Sequence, residues 1–231
     1  MKKYKCILFD LDHTLWDYET NSEETLRILF NQFDLSQKGV TSFPYFFKIF
    51  SQVNLSLWDL YDRGLIGQDV IRKERFHKVF IEAGVDDYAL SIQFSSAYLI
   101  ELPKKKNLLP YAKETLEYLR TRYPMIIITN GFDEIQATKL SSAGIHGYFK
   151  NIVTSQRAGS KKPSKEIFEF ALEEAGHHSV DSVMIGDNLQ TDMAGARAAG
   201  IDTIYFNPAA RQHAERVTFE IRALLELQTM L

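Results

Sequence analysis

The chain has 231 residues, 45% of them hydrophobic, enough for one medium domain or for a domain carrying an insert. Its 27 basic and 30 acidic residues leave a net charge of −3, which makes no global electrostatic case for nucleic acid or a membrane surface. The single cysteine, Cys6, excludes an intramolecular disulfide framework, and no run approaches the roughly 20 apolar residues of a membrane helix, so a cytoplasmic protein is expected.

Ile7-Leu8-Phe9 reads as a buried strand of a parallel sheet, because its residues are all apolar with no polar alternation. It ends in Asp10-Leu11-Asp12, two carboxylates that can turn toward one point at the sheet edge where open α/β proteins bind ligands. Two acids so close repel unless a cation separates them, and a hard metal such as Mg²⁺ suits them. The plainer alternative is an Asx-rich turn closing a strand.

From Asp17 to about Pro103 the periodicity is helical throughout. Leu26, Leu29, Phe30 and Phe33 follow a start at Asn21-Ser22. Phe43, Tyr45, Phe46, Phe47, Phe50 and Trp58 make a dense aromatic stretch. Ile71, Phe76, Val79 and Phe80 repeat the period up to Gly84, and another helix runs from Asp86 to Leu102. This stretch, 17–103, reads as a helical insert interrupting an α/β domain formed by 1–16 and 104–231.

Lys104-Lys105-Lys106 reads as a solvated linker, and Pro110 opens the next helix. Strands and helices then alternate. Met125–Ile128 is a strand ending in Thr129-Asn130-Gly131, and a helix follows from Asp133 to about Ala143. Ile152-Val153 is a strand leading through a loop to Lys162-Pro163, and Ser164 caps a helix running to Gly176. Ser182–Ile185 is a strand ending in Gly186-Asp187, followed by a helix rich in small residues that stops at Gly200. Thr203–Phe206 is a fifth strand, and a final helix takes in Phe219, Leu224 and Leu225. This alternation predicts a doubly wound parallel sheet.

Four strand ends therefore carry distinctive polar groups: Asp10/Asp12, Thr129/Asn130, Lys162, and Asp187 with Asp192. Singly, each has a structural explanation as a cap, a turn or a solvated side chain. In this order, at strand ends sharing one edge, they suit phosphoryl transfer. Asp10 can act as a carboxylate nucleophile and Asp12 as the acid and then the base. Asp187 can complete a Mg²⁺ site begun by Asp10. The Thr129 hydroxyl, backbone N–H groups near Asn130, and the Lys162 ammonium can face the phosphate.

Asp10-Leu11-Asp12-His13-Thr14-Leu15, Thr129-Asn130, Lys162-Pro163 and Gly186-Asp187 with Asp192 resemble the four motifs of the haloacid dehalogenase superfamily, and the resemblance spans essentially the whole chain. It implies a Rossmann-like core with an inserted all-helical cap, a Mg²⁺ cofactor, and an aspartyl-phosphate formed on Asp10. It also implies that Asp12 meets the metal through its backbone carbonyl, and that Asp192 supports the metal site. The longer stretch from Asp10 through Trp16-Asp17 to Asn21-Ser22 is similar to the bacterial house-cleaning 5′-nucleotidases, which implies a pyrimidine nucleoside monophosphate as the small-molecule substrate. For Trp16 the alternative is core packing.

A metal-independent dehalogenase lacks the second acid of the first motif, so Asp12 speaks against one. Phosphosugar phosphatases and mutases share all four motifs and remain the alternative, separated only by the cap. A non-catalytic binding module would show a decayed site, and no motif residue is missing here. The helical insert is expected to select the leaving group, because the motifs are used up on phosphate and metal.

Overall fold

The structure, a computed structural model, describes residues 3–231; Met1 and Lys2, at the start of the expected 1–16 segment, lie outside the described residues. The chain divides into two compact units, one made of 1–18 and 106–231 and the other of 19–105.

The first unit is built on a six-stranded sheet in the order β3-β2-β1-β4-β5-β6, with every neighbouring pair parallel. Its strands are β1 (Cys6–Phe9), β2 (Met125–Thr129), β3 (Asn151–Thr154), β4 (Ser182–Gly186), β5 (Asp202–Phe206) and β6 (Phe219–Ile221). β1, β2 and β4 are buried along their whole length, which is why their sequences are unbroken runs rather than alternations. The strand order reverses direction at β1, which lies between β2 and β4. That is the switch point outside which open α/β sheets bind ligands.

Helices α5 (Ala112–Leu119), α6 (Asp133–Ser142), α7 (Ser155–Ala158), α8 (Lys165–Ala175), α9 (Ala194–Ala198) and α10 (Leu227–Met230) complete this unit. One core cluster joins Cys6, Leu8, Ile126, Ile128 and Met184 of the sheet to Ile167, Phe168, Ala171 and Ala196 of α8 and α9. Small residues permit this approach: a Cβ on Gly195 would come within 2.5 Å of the Phe168 ring and 2.8 Å of the Pro163 carbonyl.

Two elements differ from the sequence reading. Pro110 does not open a helix; the chain turns through Tyr111 at a left-handed φ of 66°, and α5 starts at Ala112. The final helix does not include Phe219. Phe219–Ile221 instead pairs with Ile204–Phe206 as a parallel edge strand, and helical turns begin only at Leu224. The unpaired edge of β5 decides this, because its N–H and C=O groups need partners that a helix starting at Phe219 cannot give.

The second unit contains α1 (Tyr18–Gln32, whose first residue belongs to the other unit), α2 (Phe43–Asp62), α3 (Gln68–Glu82) and α4 (Tyr88–Glu101). Ser42 caps α2 by accepting from the Tyr45 N–H, Pro44 occupies its first turn, and Asp87 caps α4 by accepting from the Leu90 N–H. Its core is aromatic. Phe46, Phe50, Phe76, Phe80, Phe94 and Tyr98 are all buried, with ring centroids such as Phe76–Phe94 4.9 Å apart. Of the aromatic stretch in α2, Phe43, Phe46 and Phe50 are core residues, whereas Tyr45 is exposed. Among the described residues no helix is long and apolar enough to cross a membrane.

Candidate active site

The site forms where β1, β2 and β4 end side by side. Asp10 follows β1 directly, and its N–H donates to the Ile185 carbonyl of β4 at 2.9 Å, so the sheet register fixes its backbone. The chain then reverses through His13, which is exposed and left-handed at φ 65°. This turn brings Thr14 back under the strand end. The Thr14 hydroxyl lies 3.1 Å from one oxygen of Asp10 and 3.1 Å from one of Asp187, linking the first and fourth motifs.

Lys162 arrives from the loop before α8. The residue is 2% exposed, and its ammonium donates to Asp10 Oδ1 at 2.6 Å and to the Ile128 carbonyl at 3.0 Å. It also lies 2.6 Å from Asp192 Oδ1. Burial works against the lysine charge, but the Asp10 and Asp192 carboxylates outweigh it and raise its pKa. Asn130 holds this lysine in place. Its side-chain carbonyl accepts from the Lys162 N–H at 2.9 Å, and its amide donates to the Lys162 carbonyl at 3.0 Å. The Asn130 side chain thus serves the lysine backbone. Thr129 is buried, and its hydroxyl oxygen accepts from the Gly131 N–H at 3.0 Å, which leaves the O–H to donate elsewhere.

Asp187 follows β4. Asp192 comes from a π-helical turn, Leu189–Met193, that precedes α9. Asn188 caps this turn by accepting from the Gln190 and Thr191 N–H groups, and its own N–H donates to Asp192 Oδ2 at 3.1 Å. Gly186 makes room: a Cβ there would collide with the Asp192 carboxylate. Asp192 is therefore not an exposed acid of a helix's first turn. It is 1% exposed and lies beneath the site.

One oxygen from each of Asp10, Asp187 and Asp192 lies within 4.8 Å of the others, the single such cluster among the described residues. Burial, reinforced by the Asp10 charge, raises the pKa of Asp187. Burial also raises that of Asp192, against the pull of Lys162. Three carboxylates share one ammonium, so full ionisation leaves two uncompensated negative charges in a buried pocket. A hard divalent cation with oxygen ligands fits both the donor set and the charge.

Asp12 stands apart from this cluster. Its carboxylate accepts from the ammonium of Lys139, on α6, at 2.7 Å through each oxygen. Lys139 and Thr14 are the site residues that sequence reasoning did not assign. Thr14 sat inside a quoted motif, but Lys139 lies mid-helix, where a lysine ordinarily points to solvent, and only its burial singles it out. Trp16 is fully buried, as core packing requires, with its ring 4.6 Å from the Lys139 ammonium.

The family model for haloacid dehalogenase-like hydrolases matches residues 4–200, which contain all four motifs. The chain belongs to the haloacid dehalogenase-like hydrolases. It is 30% identical to the HAD-hydrolase YfnB of Bacillus subtilis (strain 168) over 100% of this chain and 97% of that protein. It is 32% identical to the pyrimidine 5′-nucleotidase YjjG of Escherichia coli (strain K12), covering 99% and 98%. With the pyrimidine 5′-nucleotidase PynA of Streptococcus pneumoniae (strain ATCC BAA-255 / R6) it shares 30% identity, covering 89% and 84%. The crystal structure of YfnB bound to magnesium superposes with a TM-score of 0.88 at 28% identity, covering 99% of each chain.

Proposed function

We propose that this hydrolase is a Mg²⁺-dependent phosphomonoesterase that works through an aspartyl-phosphate on Asp10, with pyrimidine nucleoside 5′-monophosphates as its substrates. The observation that carries the reading is the setting of Asp10. It is a carboxylate at the centre of the sheet edge, bonded to a buried ammonium and grouped with two further acids.

In the first step an Asp10 oxygen attacks phosphorus, the bond to the leaving oxygen breaks, and Asp12 gives that oxygen a proton. In the second, the Asp12 carboxylate takes a proton from water, whose oxygen attacks the phosphorus of the acyl phosphate. The bond to Asp10 breaks, releasing inorganic phosphate, restoring the Asp10 carboxylate and leaving Asp12 protonated for the next cycle. Lys162 balances the charge gathered on the phosphoryl group, and the Thr129 hydroxyl donates to one of its oxygens. Asn130 contributes by fixing Lys162. Asp10, Asp187 and the Asp12 backbone carbonyl would hold Mg²⁺, with Asp192 supporting them. The ion, when bound, supplies positive charge to the phosphoryl oxygens.

The nucleotide assignment rests on YjjG and PynA, which are named pyrimidine 5′-nucleotidases, and on the stretch from Asp10 through Trp16-Asp17 to Asn21-Ser22. We assign choice of leaving group to the helical unit, 19–105. The deciding experiment is a panel of phosphomonoesters measured at one pH, with and without Mg²⁺. Pyrimidine nucleoside monophosphates should exceed hexose phosphates in kcat/KM by more than about tenfold, or 1.4 kcal/mol. A hexose phosphate winning by that margin removes the nucleotidase assignment, and inactivity toward the whole panel removes the phosphatase assignment.

A further inference from the structure

Lys139 has no place among the four motifs, yet it is one of the most deeply buried charges in the molecule. It is 2% exposed on α6, and its ammonium contacts both oxygens of Asp12 at 2.7 Å. Its Nζ also sits 4.6 Å from the Trp16 ring. The indole is itself fixed. Trp16 is fully buried, its backbone bridges to Asp12 and Leu108, and its carbonyl accepts from the His13 N–H at 3.0 Å. A lysine stem has four rotatable bonds and ordinarily spends its charge in water. Removing the ammonium from solvent is costly unless it is paired, and here the pair is Asp12. Lys162 is engaged with Asp10 and Asp192, so the buried ammonium that meets Asp12 is that of Lys139.

We infer that Lys139 is a positioning residue for proton transfer: it aims the Asp12 carboxylate at the leaving oxygen and at the attacking water. One Asp12 oxygen stays on the Lys139 ammonium as a pivot. The other exchanges that ammonium for the substrate or water oxygen with which it trades a proton. The Trp16 ring, 4.6 Å from the ammonium, confines it further, so the pivot does not drift. This inference rests on the aspartyl-phosphate reading above and adds a residue to it.

The test compares Lys139→Met, Lys139→Gln and Lys139→Arg with wild type, all at the same saturating Mg²⁺, on two substrates. p-Nitrophenyl phosphate expels a stable phenolate and needs little proton donation, whereas uridine 5′-monophosphate expels an alkoxide that needs it. kcat/KM reports steps through transfer to Asp10, so help to the leaving group shows there. Lys139→Met should lower kcat/KM for the nucleotide at least about tenfold more than for p-nitrophenyl phosphate, because the lost contribution is general-acid catalysis. It should lower kcat for both, because water activation is common to both. Lys139→Arg, which retains a cation, should recover part of the selective loss. If Lys139→Met does not fold, Lys139→Gln carries the same comparison. An equal loss of kcat/KM on both substrates, or no loss, overturns the inference, since a lysine that merely braces α6 would not distinguish leaving groups. If wild type hydrolyses neither substrate, the phosphatase reading fails first and this inference falls with it.

Discussion

The Lys162 ammonium donates to Asp10 Oδ1 at 2.6 Å across 152 positions of sequence. The same ammonium touches Asp192, so a single buried cation joins the end of β1 to the turn after β4. In the proposed mechanism this holds the attacking carboxylate in place before substrate arrives, which reduces the reorganisation needed at the moment of reaction.

Removing that cation should be costly for folding. In chelator, Lys162→Met leaves Asp10, Asp187 and Asp192 facing one another in a buried pocket with no positive charge. A loss of about 3–5 kcal/mol of stability is expected. Urea denaturation measures it as a lower midpoint at similar slope. An unshifted midpoint would show that the pair contributes nothing net.

Asp10→Asn preserves shape and most hydrogen bonds but replaces the proposed nucleophile with an amide. Hydrolysis should fall more than about 10⁴-fold, with the circular dichroism spectrum unchanged. Near-normal turnover in preparations free of wild type rules out a covalent intermediate on this residue.

Asp12→Asn should separate proton transfer from metal binding. The Asp12 side chain lies on Lys139, outside the acid cluster, so Mg²⁺ affinity should hold while turnover drops about 10²–10⁴-fold. Recovery of full turnover at saturating Mg²⁺ would mean that the side chain is chiefly a ligand.

Chelation should abolish activity, and Mg²⁺ should restore it. Ca²⁺ should substitute poorly, because its larger and looser coordination shell misplaces the phosphate. Asp187→Ala should raise the Mg²⁺ concentration needed for half-maximal activity by at least about tenfold, since it removes one of three clustered oxygens. Full activity in excess chelator contradicts the metal site.

Local chemistry in the sequence was sufficient for much of this molecule. Unbroken apolar runs such as Met125–Ile128 can only be buried on both faces, so the parallel sheet and its polar ends were legible residue by residue. The helical stretch was legible from its period, because one face of each helix must be apolar. Tertiary structure alone decided what depends on neighbours distant in sequence. Phe219–Ile221 became a strand because β5 offered an edge to pair with. Asp192 became a buried acid because Gly186 left it space. Lys139, polar in a polar stretch of helix, became a partner of Asp12 because the fold removed its ammonium from water beside that carboxylate. A lone charge gives no local sign of its pairing; desolvation, which makes the pairing obligatory, exists only once the chain has folded.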